Sequence, residues 1–451
     1  MKWSRSRSAS IIAIGAASAL LLSACNGDSE PTETPRADDP GNEQEADPVT
    51  ISITTFGTFG YEGLYEEYMD LNPHVTIEPT NIDTGGNART DTFTKIAAGG
   101  AGLTDIVALE EGWLGAIMEV SDAFVDLRDY GIEDRAGDWL DWKYAQGTDP
   151  NGRVIGYGTD IGPEGICYRA DLFEAAGLPS DRDEVAELLD GDWENYFDVG
   201  RQYREATGNA WYDHSGFVWN AMVNQLDEGY YTRDGELNVE DNAELKARFD
   251  LLAAAVDDGL SAAQGAWDWN GGQSFVDETF ATFVCPGWML GVVTGNAEAG
   301  AEAAGVSLDE VTWDFADVFP GGYANWGGAF LAVSENSQVK EEAAKLASWL
   351  TEPAQQVKQF EAAGTFPSTV EAAAELAANP TPNEFFNGAP VGAILAGRAE
   401  GVQAQFKGPD DSLIQENVFG PPLQALDQGT TDGEAAWNQA IQLLNDLVVN
   451  G

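Results

Sequence analysis

The chain has 451 residues, and its 76 Asp and Glu against 22 Lys and Arg give a formal charge of −54. That charge excludes nucleic acid and anionic lipid headgroups as partners held by charge, because neither can trade counterions with it favourably. The length allows two domains, each with its own core, and acids spread through helices and loops fit a halophilic habitat where salt screens self-repulsion. By itself the charge does not make the ligand cationic.

In chain order, Lys2, Arg5 and Arg7 precede an apolar, Ala-rich run over 11–22, closed by Leu22-Ser23-Ala24-Cys25. The run is too short to span a bilayer. Small residues before a cysteine look like a bacterial lipoprotein signal over 1–24, cleaved before Cys25 and acylated there. Loss of the three basic residues would take the charge to near −57. Residues 25–48 are acidic, carry proline and lack aromatics, so they are expected to stay disordered as a tether.

The alternation of Val49, Ile51 and Ile53 predicts a strand over 50–55, followed by a helix over 63–70 that Asn72-Pro73 stops. A strand over 74–79, a helix over 91–98 and an apolar strand over 104–109 continue the alternation, so the class is α/β. Beyond a strand over 165–168 and a short helix ending at Gly177, helices are expected over 185–189, 193–205 and 246–257. Strands follow over 280–284 and 330–333, then helices over 339–350, 354–362, 369–378 and 434–448. No long linker divides the chain, which suits two domains joined by strands that cross more than once.

With Cys25 taken by lipid, Cys167 and Cys285 remain, both in strand-like surroundings. A disulfide and two buried thiols both fit a compartment outside the membrane. No cysteine or histidine spacing suggests a metal. The glycines after the first strand, Gly57, Gly60 and Gly63, are spaced GxxGxxG and not GxGxxG. No Walker lysine is present, so no nucleotide cofactor is expected. His74 and His214 stand beside neither a GxSxG serine nor a cysteine nucleophile.

Two acid pairs are the serious chemical candidates: Glu110-Glu111 at the end of the third strand, and Asp160 with Glu164 around Gly162-Pro163. Tryptophan says more. There are 14, and Trp113, Trp267, Trp269, Trp288 and Trp326 sit in Gly- or acid-rich stretches. An indole so placed is a flat plate for the apolar face of a sugar ring, with nearby Asp, Glu and Asn for its hydroxyls.

At TDIVALEEGWLG (104–115), DIGPEGICYRADLFEAAGLP (160–179), FATFVCPGWMLG (280–291), NWGGAFLAVSENS (325–337) and GTFPS (364–368) the chain resembles the extracellular solute-binding proteins, family 1, of sugar and oligosaccharide ABC importers. Within that family it is most similar to the actinobacterial cellobiose type. The resemblance implies the two-lobed periplasmic-binding-protein fold, type II. Lobe 1 would be 49–158 with 328–375, and lobe 2 would be 159–327 with 376–451, the ligand lying between them. It implies ligand contacts at Phe59, Gly60, Glu111, Trp113, Asp160, Glu164, Trp269, Trp288, Trp326 and Gly327. It also implies a monomer anchored by lipid on the outer face of the cell membrane, which binds a sugar without turnover and delivers it to permease subunits. The first loop carries Phe56 and Phe59 where relatives commonly have tryptophan. A secreted glycoside hydrolase is the competing reading, and it needs two carboxylates opposed across a cleft.

Overall fold

The computed structural model describes residues 47–450. The signal, Cys25 and all but the last two residues of the tether lie outside the described residues. Among the described residues there are eleven strands: β1 (Val49–Phe56), β2 (Val75–Ile82), β3 (Ile106–Glu110), β4 (Tyr157–Gly158), β5 (Asp160–Ile161), β6 (Glu164–Arg169), β7 (Ala210–Tyr212), β8 (Phe280–Pro286), β9 (Trp313–Ala316), β10 (Ala329–Val333) and β11 (Phe366–Pro367). They form a five-stranded sheet of order β2-β1-β3-β10-β4, a four-stranded sheet of order β7-β8-β6-β9, and the pair β11-β5.

In the first sheet β1 runs parallel to β2 and β3, while β10 enters antiparallel between β3 and β4. Its inner strands β3 and β10 are covered on both faces, as their apolar sequence requires. Ile51, Ile53, Ile106, Leu331 and Val333 pack with Leu64, Tyr68, Leu346 and Leu350 on one side, and Val107, Leu109 and Phe330 pack with Trp113, Ile117 and Phe124 on the other. In the second sheet β6 is central and fully buried, antiparallel to β8 and β9. Around it lies the larger core, which includes Tyr196, Trp211, Trp219, Phe283 and Phe315.

The chain passes between the sheets from β4 to β6 and returns from β9 to β10. The short β5–β11 pair sits at the first passage, with Ile161 opposite Phe366. Two sheets, two cores and repeated passages make the two-lobed α/β architecture. Cys167 and Cys285 are disulfide-bonded between β6 and β8. Among the described residues no helix is long and apolar enough to cross a membrane.

Several element bounds differ from the expectation. The helix expected over 91–98 runs Gly85–Ala97, because the Thr84 hydroxyl accepts from the Asn87 N–H and caps a turn that two glycines would otherwise weaken. Helices Ser215–Asn224, Met289–Ala304, Val391–Glu400 and Gly420–Asp427 were not expected at all. The first of them is buried at every residue except Gly216, so it lacks the polar stripe that marks a surface helix.

Candidate functional site

The site forms where the end of β3 and the start of β10 meet the start of β6. Gly162 and Gly327 make this meeting possible. A Cβ on Gly162 would collide with the Trp326 carbonyl oxygen, which fixes the residue as glycine. Gly327 has φ +79°, and a Cβ there would lie 3.1 Å from Trp288 Nε1 and 3.5 Å from a Glu110 oxygen. The backbone at 327 therefore runs directly between an indole and a carboxyl group.

Three tryptophans form the apolar wall. Trp288 and Trp326 stand at 82° with centroids 5.3 Å apart, and Trp288 Nε1–H donates to the Trp326 carbonyl at 2.7 Å. Trp267 stacks on Trp288 at 6.2 Å and 27°, is 53 % exposed, and has φ +63°. A bulky side chain in the left-handed region is strained, and such strain collects at binding sites. Phe217 lies behind, 5.0 Å from both Trp267 and Trp326.

Not all five tryptophans are accessible plates. Trp113 and Trp269 are each 3 % exposed and belong to the cores. Trp269 donates its N–H to Asp213 at 3.1 Å and backs the wall from inside. Trp113 packs near Phe93. Their acid- and glycine-rich neighbours suggested exposure, but the chain on either side turns away and leaves the ring inside. Phe59 is buried between Phe56 and Tyr61, and its carbonyl accepts from Gln359 Nε2 at 3.0 Å. Gly60 turns against the same helix, Pro353–Ala363, with φ +84°.

The acids take different tasks. Asp160 accepts from the Thr159 hydroxyl and from the Ala329 N–H at 2.9 Å, so it ties the first passage to the start of β10. Glu111, 5 % exposed, accepts from Gln146 at 3.0 Å and from Asn325 at 3.4 Å. Glu164 is fully buried, and neither of its oxygens has a partner. Burial pushes its carboxyl up to about 8, against the pull of Arg398 and Lys407. Glu110 is likewise pushed up to about 8 by removal from water.

Residues that the sequence reading did not place here complete the site. Asn325 accepts from the Gly162 N–H at 2.8 Å and donates to Glu111 and to the Gly327 carbonyl. Lys407 lies on a loop that leads into the short helix Asp411–Leu413 and is held by Gln405, which donates to the Val223 and Leu226 carbonyls. Ser412 Oγ donates to the Gly112 carbonyl at 2.6 Å, bringing that loop against the end of β3. A lone lysine before Gly408-Pro409, in a chain with 22 basic residues, was the available signal. Two surface hollows of about 350 and 620 Å3 lie elsewhere, beside Tyr323 and beside Trp349, and share none of the wall or carboxyl residues. No group of side chains among the described residues is arranged to hold a metal.

Comparison with known proteins agrees with this architecture. The family model for bacterial extracellular solute-binding proteins matches residues 63–384, and the chain belongs to that family. A crystal structure of an extracellular solute-binding protein of family 1 is 44 % identical, with TM-score 0.78 over 88 % of this chain and 99 % of its own. A binding protein from B. animalis subsp. lactis, solved with β-1,6-galactobiose, shares the fold at 19 % identity, TM-score 0.70, over 88 % of this chain and 97 % of its own. A lactose-binding protein of Rhizobium radiobacter is 25 % identical over 196 residues. That match spans 43 % of this chain and 44 % of the relative.

Proposed function

We propose that this chain is the capturing subunit of an ABC importer for a sugar or oligosaccharide, with a cellobiose-like or other disaccharide favoured. The observation that carries the reading is the wall of Trp267, Trp288 and Trp326 beside buried carboxyl groups at the junction of the two sheets. Indole faces suit the apolar face of a pyranose, while Glu111, Glu164 and Asn325 suit its hydroxyls. The lactose and galactobiose named for the relatives support the same class of ligand.

On this reading 49–158 with 328–375 form one lobe and 159–327 with 376–451 the other. Trp288, Trp326, Gly327, Glu111 and Glu164 touch the ligand. Phe59, Gly60, Trp113, Asp160 and Trp269 position them from behind. The Ser412–Gly112 contact breaks when the lobes part, and ligand favours the closed population. Cys25 is acylated outside the cell membrane, and the closed monomer docks on permease subunits.

The test is titration calorimetry of the purified protein against α- and β-linked disaccharides and trisaccharides. Saturable 1:1 binding with the sugar recovered unchanged is the expected result. Steady release of hydrolysed product would show an enzyme instead.

A further inference from the structure

Trp326 is followed by two glycines in left-handed backbone, Gly327 at φ +79° and Gly328 at φ +106°. Glycine permits that turn, but it loses more freedom on ordering than any other residue. A partly exposed indole on such a loop keeps one direction only if something else holds the backbone.

The residue before it supplies the hold. Asn325 is 8 % exposed, and its amide reaches three segments. Oδ1 accepts from the Gly162 N–H at 2.8 Å, on the passage between β5 and β6. Nδ2 donates to the Gly327 carbonyl at 2.9 Å and to the Glu111 carboxyl group, just past β3, at 3.4 Å. The backbone joins the same segments: the Trp326 N–H donates to the Gly162 carbonyl at 2.8 Å, and the Glu111 N–H to the Gly328 carbonyl at 2.9 Å. Glu111 is held independently through its other oxygen, which accepts from Gln146 at 3.0 Å.

An asparagine amide has two hydrogens and two lone pairs. Here both hydrogens and one lone pair are taken by protein groups, which leaves one lone pair for a ligand. We propose that Asn325 is a positioning residue: it locks the Trp326 loop onto the first passage and onto Glu111, and so sets the angle of the Trp326 plate against Trp288. The inference rests on the sugar-binding reading above and names the residue that fixes the geometry of that site.

Asn325→Asp separates this role from contact with a ligand. Aspartate is nearly the same size and keeps an acceptor for the Gly162 N–H and for a hydroxyl. It loses both hydrogens and sets a carboxyl group against that of Glu111. Calorimetry with cellobiose and with lactose is expected to show binding roughly 10- to 100-fold weaker than wild type at pH 7, the effect of stranding buried acceptors. Burial beside a second acid raises the pKa of the new carboxyl group. As pH falls to about 5 it regains a proton to donate, and the deficit narrows. The charged groups around the Asn325–Glu111 contact are Glu110, Asp160, Glu164 and Lys143, together with Arg398, Lys407 and Asp411. All are present in both chains, so the two affinities are compared as a ratio at each pH.

Without ligand, near-UV circular dichroism reads the perpendicular Trp288–Trp326 pair, as the difference between chains with Trp326 and with Trp326→Phe. That difference shrinks in Asn325→Asp. Asn325→Ser has a hydroxyl too short to span the three segments and adds no charge. It is expected to weaken binding and dichroism alike without the pH dependence, and it decides the matter if Asn325→Asp does not fold. A lower melting temperature alone moves none of these readouts. Wild-type affinity, an unchanged dichroism difference, or an Asn325→Asp deficit that stays constant with pH would each overturn the inference. If neither sugar binds the wild type, calorimetry counts against the sugar-binding reading, and the dichroism difference decides the role of Asn325: diminished upholds it, unchanged overturns it.

Discussion

The indole N–H of Trp288 donates to the backbone carbonyl of Trp326 across 38 residues of chain, at 2.7 Å, with the two rings nearly perpendicular. One tryptophan thus fixes the loop that carries the other, and both remain partly exposed. Truncating either to alanine is expected to weaken disaccharide binding by ~30-fold or more, the effect of losing a ~2 kcal/mol aromatic anchor. Melting of the ligand-free protein should change much less than the ~3–5 kcal/mol loss of a core tryptophan would require. Paired calorimetry and thermal melts check this, and a melting collapse with normal binding by the folded fraction would make the pair structural. Trp269→Ala is the control, since Trp269 is in the core and should show that collapse.

Trp267 separates strain from contact. Its φ of +63° suits glycine, and a non-glycine residue held in such a region costs on the order of 1–3 kcal/mol. Trp267→Gly should leave the melting temperature unchanged or higher, while weakening affinity through loss of the plate stacked on Trp288. A lower melting temperature with full affinity would mean that the exposed ring supports the fold and not the ligand.

Buried carboxyl groups make the ligand-free protein less stable as pH rises. Glu110 and Glu164 are held up to about 8, whereas an unfolded glutamate titrates near 4.5. Between those values the folded chain binds the extra protons, so stability falls as pH climbs from about 5 to 8 and levels above it. Burial holds His214 down to about 4, which acts in the opposite sense as pH drops below about 6.5. Comparing Glu164→Gln with wild type isolates one group. The variant should gain stability relative to wild type across pH 5–8, and a constant difference across that range would refute the assignment.

Salt should stabilise the chain. At −54 the compact state repels itself, and a shorter Debye length relieves that repulsion. Melting temperature is expected to climb from dilute buffer to molar NaCl. A flat or falling curve would show the acids already compensated by local geometry.

The Cys167–Cys285 bond joins neighbouring strands of the second sheet across a separation of 118 residues. Removing it with Cys167→Ala and Cys285→Ala together is expected to cost about 2–5 kcal/mol. Denaturant unfolding of the double variant, compared with reduced and oxidised wild type, measures this. A double variant as stable as oxidised wild type would show that packing alone holds β6 to β8.

The sequence by itself determined the alternation of elements, the apolar central strands and the absence of a linker, because each follows from local periodicity. Val49, Ile51 and Ile53 announce a half-covered strand, and Ile106 to Leu109 announce a fully covered one, whatever surrounds them. It also put Trp288, Trp326 and Glu164 in stretches that suit a sugar. Tertiary structure alone decided which tryptophans remain accessible, because glycine- and acid-rich neighbours describe the backbone beside a ring and not what folds over it. Thus Trp113 and Trp269 are core while Trp267 is open. Only the fold could bring Lys407 and Asp411 to β3 and β6, since a contact between positions hundreds of residues apart leaves no period in the sequence. The same holds for Glu164. Its place in the chain marks a turn into a strand, but its burial without a partner comes from three separate segments closing around it.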